Sequence, residues 1–146
     1  MSRISVELVG EKKLQQALAQ AAADVKNAAE IAVVGTALEL RGNIVKSIAR
    51  GPASGRVYEK YNPRRTHQAS ARGEFPMTDT GRLANSIYFE RLGSLTAAVG
   101  STLAYAVYLE YKPSNVGGRP FFRPAVEEIR PIFMKRIEKA LGDELR

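Results

Sequence analysis

Two small groups of residues in this chain have the types that chemistry needs. Ser70, His67 and Asp79 supply the hydroxyl, imidazole and carboxylate of a nucleophilic triad. They lie in a Gly-, Pro- and Arg-bearing loop with no nucleophile elbow and no rigid support. Asp79 with Glu110-Tyr111-Lys112 has the acidic pair and lysine of a nuclease, but a Glu-x-Lys element is short and common. His67 is the only histidine and Cys is absent. Disulfides, thiolate zinc sites and cysteine nucleophiles are therefore excluded. One His with scattered carboxylates does not make a metal site, and no Gly-rich phosphate loop of the required form exists. The sequence thus points away from an enzyme, with no catalytic, cofactor or metal residue assigned.

The charge pattern is more informative. The chain has 146 residues and a net charge of +7. Eight basic residues lie between Arg41 and Arg72, opposed by Glu59 alone; elsewhere basic and acidic residues cancel. The whole imbalance sits in that stretch, which makes it a candidate contact for an anionic partner. Arg56, Lys60, Arg64, Arg65 and Arg72 are the expected contacts, with DNA phosphates or with an acidic protein face.

The elements that position these residues follow from periodicity. Ile4, Val6 and Leu8 alternate with polar residues over 3–9, which suits a half-buried strand ended by Gly10. Leu14, Leu18 and Ala21 predict a helix over 12–22, and a second helix runs over 24–49 with Asp24 as its N-cap. That longer helix has two apolar stripes: Val25, Ala28, Ala32 and Thr36, and Ile31, Val34, Leu38, Val45 and Ile48. Two stripes predict burial against a core and against a neighbour. Gly35 and Gly42 weaken the helix and leave room for close packing.

Gly51-Pro52-Ala53-Ser54-Gly55 stops the helix. Residues 51–80 have almost no apolar period and are expected to form a long basic loop or arm, with a short ribbon at Val57-Tyr58 and Tyr61, that orders against neighbouring subunits. The turn Asp79-Thr80-Gly81 then launches a strand over 83–91, which reverses at Leu92-Gly93-Ser94 and returns over 95–100. Tyr105, Tyr108 and Leu109 predict a short helix over 104–111. Pro124 starts a last helix reaching Leu141, with Ala125, Ile129, Ile132, Phe133, Ile137 and Leu141 inward and Pro131 kinking or restarting it. The fold expected is one α+β domain over 1–146: a small antiparallel sheet packed by helices, with the long arm between the long helix and the central hairpin. The first strand could join that hairpin. No apolar run approaches a membrane span, and the first residues lack a signal-peptide block.

Several segments together resemble one family. These are Asp79-Thr80-Gly81-Arg82-Leu83 with Ser86-Ile87; Tyr105-Ala106 with Leu109-Glu110-Tyr111; Arg119-Pro120-Phe121-Phe122-Arg123-Pro124-Ala125; and His67-Gln68-Ala69-Ser70-Ala71 leading to Gly73-Glu74 and Pro76. In order and spacing they resemble the gp10-like tail-component family of long-tailed double-stranded DNA phages. Arg72 and Phe75 stand where that pattern more often has Pro, and Lys112-Pro113 where Gly-Thr is more usual. The resemblance implies a virion structural protein at the head–tail junction, a neck, tail-completion or tail-terminator component, made in the host cytoplasm. It implies a homo-oligomeric ring around the DNA channel, hexameric by family habit, adjoining neck and tail-tube proteins and with possible non-specific DNA contact. The subunit contact is then expected at Asp79, Thr80, Gly81, Arg82, Leu83, Tyr105, Glu110, Arg119, Phe121, Phe122 and Arg123, with Phe121 and Phe122 in the intramolecular core as the favoured alternative, and Glu110 paired to Arg82 or Arg119 or left solvated. A sequence-independent DNA-binding module is the alternative, and a nuclease a distant third.

Overall fold

The computed structural model describes residues 11–144; the strand expected over 3–9 lies outside them. The first element is one unbroken helix, α1 (Glu11–Arg50), in place of the two expected. Nothing in the chain breaks it at residue 23. Ala21, Ala22 and Ala23 are the best helix formers there are, and Gln20 Nε2 donates to Asp24 Oδ1 at 2.9 Å across the supposed gap. Asp24 is thus a mid-helix side chain and not a cap. The Gly51 amide donates to Ser47 O at 2.9 Å and Pro52 ends the helix.

Within residues 51–80 the short ribbon expected at Val57-Tyr58 and Tyr61 forms, and it takes up much of the expected open arm. It is an antiparallel ribbon of β1 (Val57–Tyr61) and β2 (Arg64–Gln68), turned at Asn62-Pro63 through a cis peptide bond. Most residues of both faces are exposed, so no apolar alternation announced the strands. The expected strand over 83–91 also divides. Arg82–Ser86 is a short helix, α2, and β3 (Ile87–Gly93) follows it and pairs with β4 (Thr96–Ser101). Leu83, Ala84 and Ser86 are all buried, which a strand with alternating faces does not do. The described residues therefore form two separate two-stranded sheets. Then come α3 (Tyr105–Tyr111) and α4 (Phe122–Glu144). The α+β class stands.

The core lies where α1, α2, α3 and the start of α4 meet. Ile44, Ile48, Ile87 and Phe121 are fully enclosed there, with Leu83, Ala84, Ala106 and Ala125 around them. Arg41 Nε donates to Ile87 O at 2.9 Å and pins β3 to α1. Further along, α4 runs antiparallel to α1: Arg136 donates to Thr36 Oγ1 at 3.1 Å and to Glu39 Oε2 at 2.5 Å. Pro131 sits inside α4 without ending it. Of the residues expected inward on α4, Ala125 and Ile129 are buried and Phe133 and Ile137 half-buried, while Ile132 and Leu141 are exposed. So small a body cannot enclose every apolar side chain of a 23-residue helix.

Both apolar stripes of α1 are buried in part. Ala32 and Thr36 are buried on the first and Ile48 on the second, whereas Ile31 and Leu38 of the second are exposed, Ile31 at 74%. No atom lies within 4 Å of a Cβ built at Gly35 or Gly42. Within this chain neither glycine permits a close approach, so the packing role expected for them is not met here. Gly42→Ala is therefore expected to stabilise the monomer by about 1 kcal/mol, raising the melting midpoint in a thermal scan by roughly 2–4 °C. A lowered midpoint would show a constraint at that position.

Candidate functional site

The Asp79–Leu83 turn is built by local chemistry. Thr78 Oγ1 accepts the Gly81 amide at 2.8 Å, and the Thr78 amide donates to Ile48 O at 3.0 Å, tying the turn to α1. Gly81 has φ 77°, which glycine alone adopts freely, and its carbonyl accepts the Asn85 amide at 2.9 Å to open α2. Ser86 Oγ then donates to Leu83 O at 2.6 Å and lies 2.7 Å from Ser101 Oγ on β4.

The ribbon folds back onto this turn. In its register Tyr58 opposes His67 and Lys60 opposes Arg65, so these four share one face. That face meets Asp79. Lys60 Nζ pairs with Asp79 Oδ2, and Arg65 Nη1 lies 2.7 Å from Oδ1. The Arg65 contact is close but off the line of a hydrogen bond: Nη1 donates instead to Asp79 O at 3.1 Å, and Oδ1 has no hydrogen-bond partner among the described residues. His67 Nδ1 is 3.7 Å from Oδ1. Val57, Glu59, Tyr61, Arg64, Thr66 and Gln68 form the opposite face, whose one acid and one base cancel.

A second clamp closes the base of the ribbon. Glu74 accepts Ser54 Oγ at 2.5 Å, the Ala71 amide at 2.7 Å and the Ser54 amide at 3.1 Å. These bonds, Ser54 Oγ foremost, hold the Glu74 carboxyl below its usual 4.5. Partial burial, then Lys60 and Arg65, holds His67 below 6.5. The neutral imidazole is thus the form the fold prefers, and the unfolded chain binds more protons as pH falls through 6.5. Glu74 adds a second loss below 4.5, because its charged form is the one the fold holds. Exchange protection of the β1–β2 amides is therefore expected to be level above about pH 7 and to fall steadily below about 6.5. Equal protection factors at about pH 7.5 and pH 5 would contradict this.

Glu110 is paired with neither Arg82 nor Arg119, and it is not solvated. The residue is 9% exposed, and its carboxylate accepts the amides of Phe121 at 2.8 Å, Phe122 at 2.9 Å and Arg123 at 3.0 Å. It caps α4, where unpaired amides and the helix dipole favour a negative charge. Both its oxygens accept helix amides there, and Glu110 lines a different groove from Asp79. Arg119 instead donates from Nη2 to Ser70 O at 2.9 Å, while its buried Nε has no partner among the described residues. Gly118, just before it, leaves no room for a Cβ against the Lys112 carbonyl, which lets the 112–119 loop turn tightly into α4.

These parts surround one groove of about 360 Å³, lined by Asp79, Thr80, Arg82, Tyr105, Leu109 and Arg119 among others. The turn, α3 and the pre-α4 segment, far apart in sequence, converge there. Leu83 lines the groove and is buried, and Glu110 and Phe121 are buried elsewhere in the chain. Thr80, Arg82, Tyr105 and Arg123 are exposed, Arg123 over the Tyr111 ring at 6.0 Å, and Phe122 is half-buried against Phe121. Of the five basic residues expected to face a partner, Lys60 and Arg65 are held by Asp79. Arg56 stacks over Tyr58 at 5.4 Å; Arg64 and Arg72 are exposed. Of the triad, His67 and Asp79 do meet, but Ser70 Oγ accepts the Met77 amide at 3.4 Å, with no hydrogen bond to His67 among the described residues. The sequence gives no sign of the Glu74–Ser54 clamp. Their types suit it, but the partners lie 20 residues apart in a stretch without periodicity.

No characterised protein and no solved structure matches the chain. A family model described as "Bacteriophage HK97-gp10, putative tail-component" matches residues 1–111. The match takes in α1, the ribbon, the Asp79 turn, both sheets and α3, and stops short of the Arg119–Ala125 segment. With so much of its length matched, the chain belongs to the HK97-gp10-like family of bacteriophage tail components.

Proposed function

We propose that this tail component is a ring-forming structural protein of the head–tail junction, acting in neck completion or tail termination, and that the groove at Asp79, Tyr105 and Arg119 is part of its subunit contact. One observation carries the contact. Arg119 Nε is buried without a hydrogen-bond partner among the described residues, and Arg119 lines the groove with Asp79 and Tyr105. Buried polar atoms in folded proteins nearly always find partners. A neighbouring copy that inserts one acceptor supplies that partner. Leu83, part of the buried core cluster, forms one wall of the groove, so that wall is set before the neighbour arrives.

Native mass spectrometry tests this. The wild-type chain is expected to form a closed ring, alone or on a tail tube. Arg82→Glu and Tyr105→Ala, both on exposed side chains, are expected to abolish the ring and leave the melting curve unchanged. Rings that persist in both variants would refute the contact. Contact with passing DNA is a second reading, favoured by Arg64 and Arg72, which are exposed and form no ion pair among the described residues. Removing one phosphate-binding side chain should reduce the salt slope of binding by about 0.9. A slope unchanged in Arg64→Ala/Arg72→Ala would remove this reading.

A further inference from the structure

Residues 12–20 of α1 are all exposed, and Leu14 and Leu18 among them are 56% and 62% open to solvent. Ala140 and Asp143, near the end of the described part of α4, border the same hollow as Ala28 and Ala32 of α1. From there α1 projects for about 16 residues, roughly 24 Å at 1.5 Å per residue. One stripe spans the junction: Leu14, Leu18, Ala21 and Val25, then Ala28, Ala32 and Thr36. Ala32 and Thr36 are buried under α4. The projecting half is the same surface, continuous with the α1–α4 interface, and no described residue of α4 borders it at Leu14 or Leu18. A lone helix of that length is marginal in water unless its apolar face is packed.

The matching shape is at the far end of the domain. A groove of about 520 Å³ opens between β4, α3 and the first turns of α4, floored by Val99, Leu103, Ala106, Phe122 and Val126. Its rim carries charges of both signs, Arg123, Arg130 and Glu127. The projecting stripe is flanked likewise by Lys13 and Asp24. Val126 and Arg130 sit by Leu40 of α1, roughly 33 Å of helix away from Leu18. Because α1 is unbroken, the projection cannot reach its own groove.

We propose that the N-terminal projection of α1 docks in the Val99–Val126 groove of a second copy, with Leu14, Leu18, Ala21 and Val25 as the i, i+4, i+7 and i+11 anchors of a helix-in-groove contact. Each copy then gives one surface and receives on another, a head-to-tail contact that closes a ring. This rests on the ring-forming function above and names the surfaces that would form the ring. Its groove is distinct from the polar one, with α3 between them: Tyr105 and Leu109 face one, Ala106 and Val107 the other.

The chain has no cysteine, so single-cysteine variants report cleanly. Leu18→Cys and Val107→Cys, both on exposed side chains, are mixed in equal amounts and gently oxidised. The mixed pair is expected to cross-link well beyond either variant alone. In parallel, Leu14→Asp/Leu18→Asp is expected to weaken self-association by about a hundredfold or more with circular dichroism unchanged. Intact rings with no mixed cross-link and no effect of the aspartates would overturn the docking and leave the ring standing. Preferential cross-linking of Leu18→Cys to itself would overturn it in favour of pairing between projections. A chain that stays monomeric at millimolar concentration and on tail tubes would overturn both.

Discussion

Replacing Glu110 by Ala is expected to destabilise the protein by about 3 kcal/mol, lowering the melting midpoint by roughly 6–12 °C. The carboxylate satisfies three amides at the start of α4, at 2.8, 2.9 and 3.0 Å. Without it these donors are left unpaired in a site where Glu110 itself is 9% exposed. An ordinary helix cap contributes about 0.5–2 kcal/mol; this one is charged and buried, which raises its worth. Glu110→Gln keeps one acceptor oxygen but turns an NH₂ towards the amides, so it should fall between wild type and Ala. Denaturant unfolding of the three proteins checks the order. An Ala variant as stable as wild type would mean that α4 is fixed by its packing alone. The consequence reaches the groove, since the same segment carries Arg119.

Phe121→Ala is expected to cost about 4 kcal/mol, the usual range for emptying a buried aromatic site. Phe121 is fully enclosed, as are Ile44, Ile48 and Ile87 in the same core. It joins α4 to α1 and to the turn. Its neighbour Phe122, with ring centroids 4.7 Å apart, is only half-buried and cannot close the cavity without uncapping the helix. A domain with a total stability of about 5–15 kcal/mol retains little margin after such a loss. Urea midpoints measure it. Phe121→Leu should lose far less, and equal losses in the two variants would argue against a cavity effect.

The long helix, the β3–β4 hairpin, α3 and α4 are legible in the sequence because each is written in one local period with its own stop signals. The break expected in α1 does not form, because an apparent cap at Asp24 does not outweigh three consecutive alanines. The strand expected over 83–91 starts late, because Leu83 and Ile87 fit an alternating face as readily as one turn of helix. The family is legible as well, since its short segments keep their order along the chain.

The amino-acid order by itself determined the α+β class, the absence of cysteine chemistry, the position of the net charge and the residues of the turn. Only the tertiary structure decided what those residues do. Asp79 became the anchor of a ribbon through Lys60 and Arg65, Glu110 became a helix cap and Arg119 a brace to Ser70. Local propensity acts between residues three or four apart. These partners are 11 to 49 residues apart, and their pairing is chosen by which carboxylate and which unpaired amides the packing of α1, α3 and α4 brings out of water together.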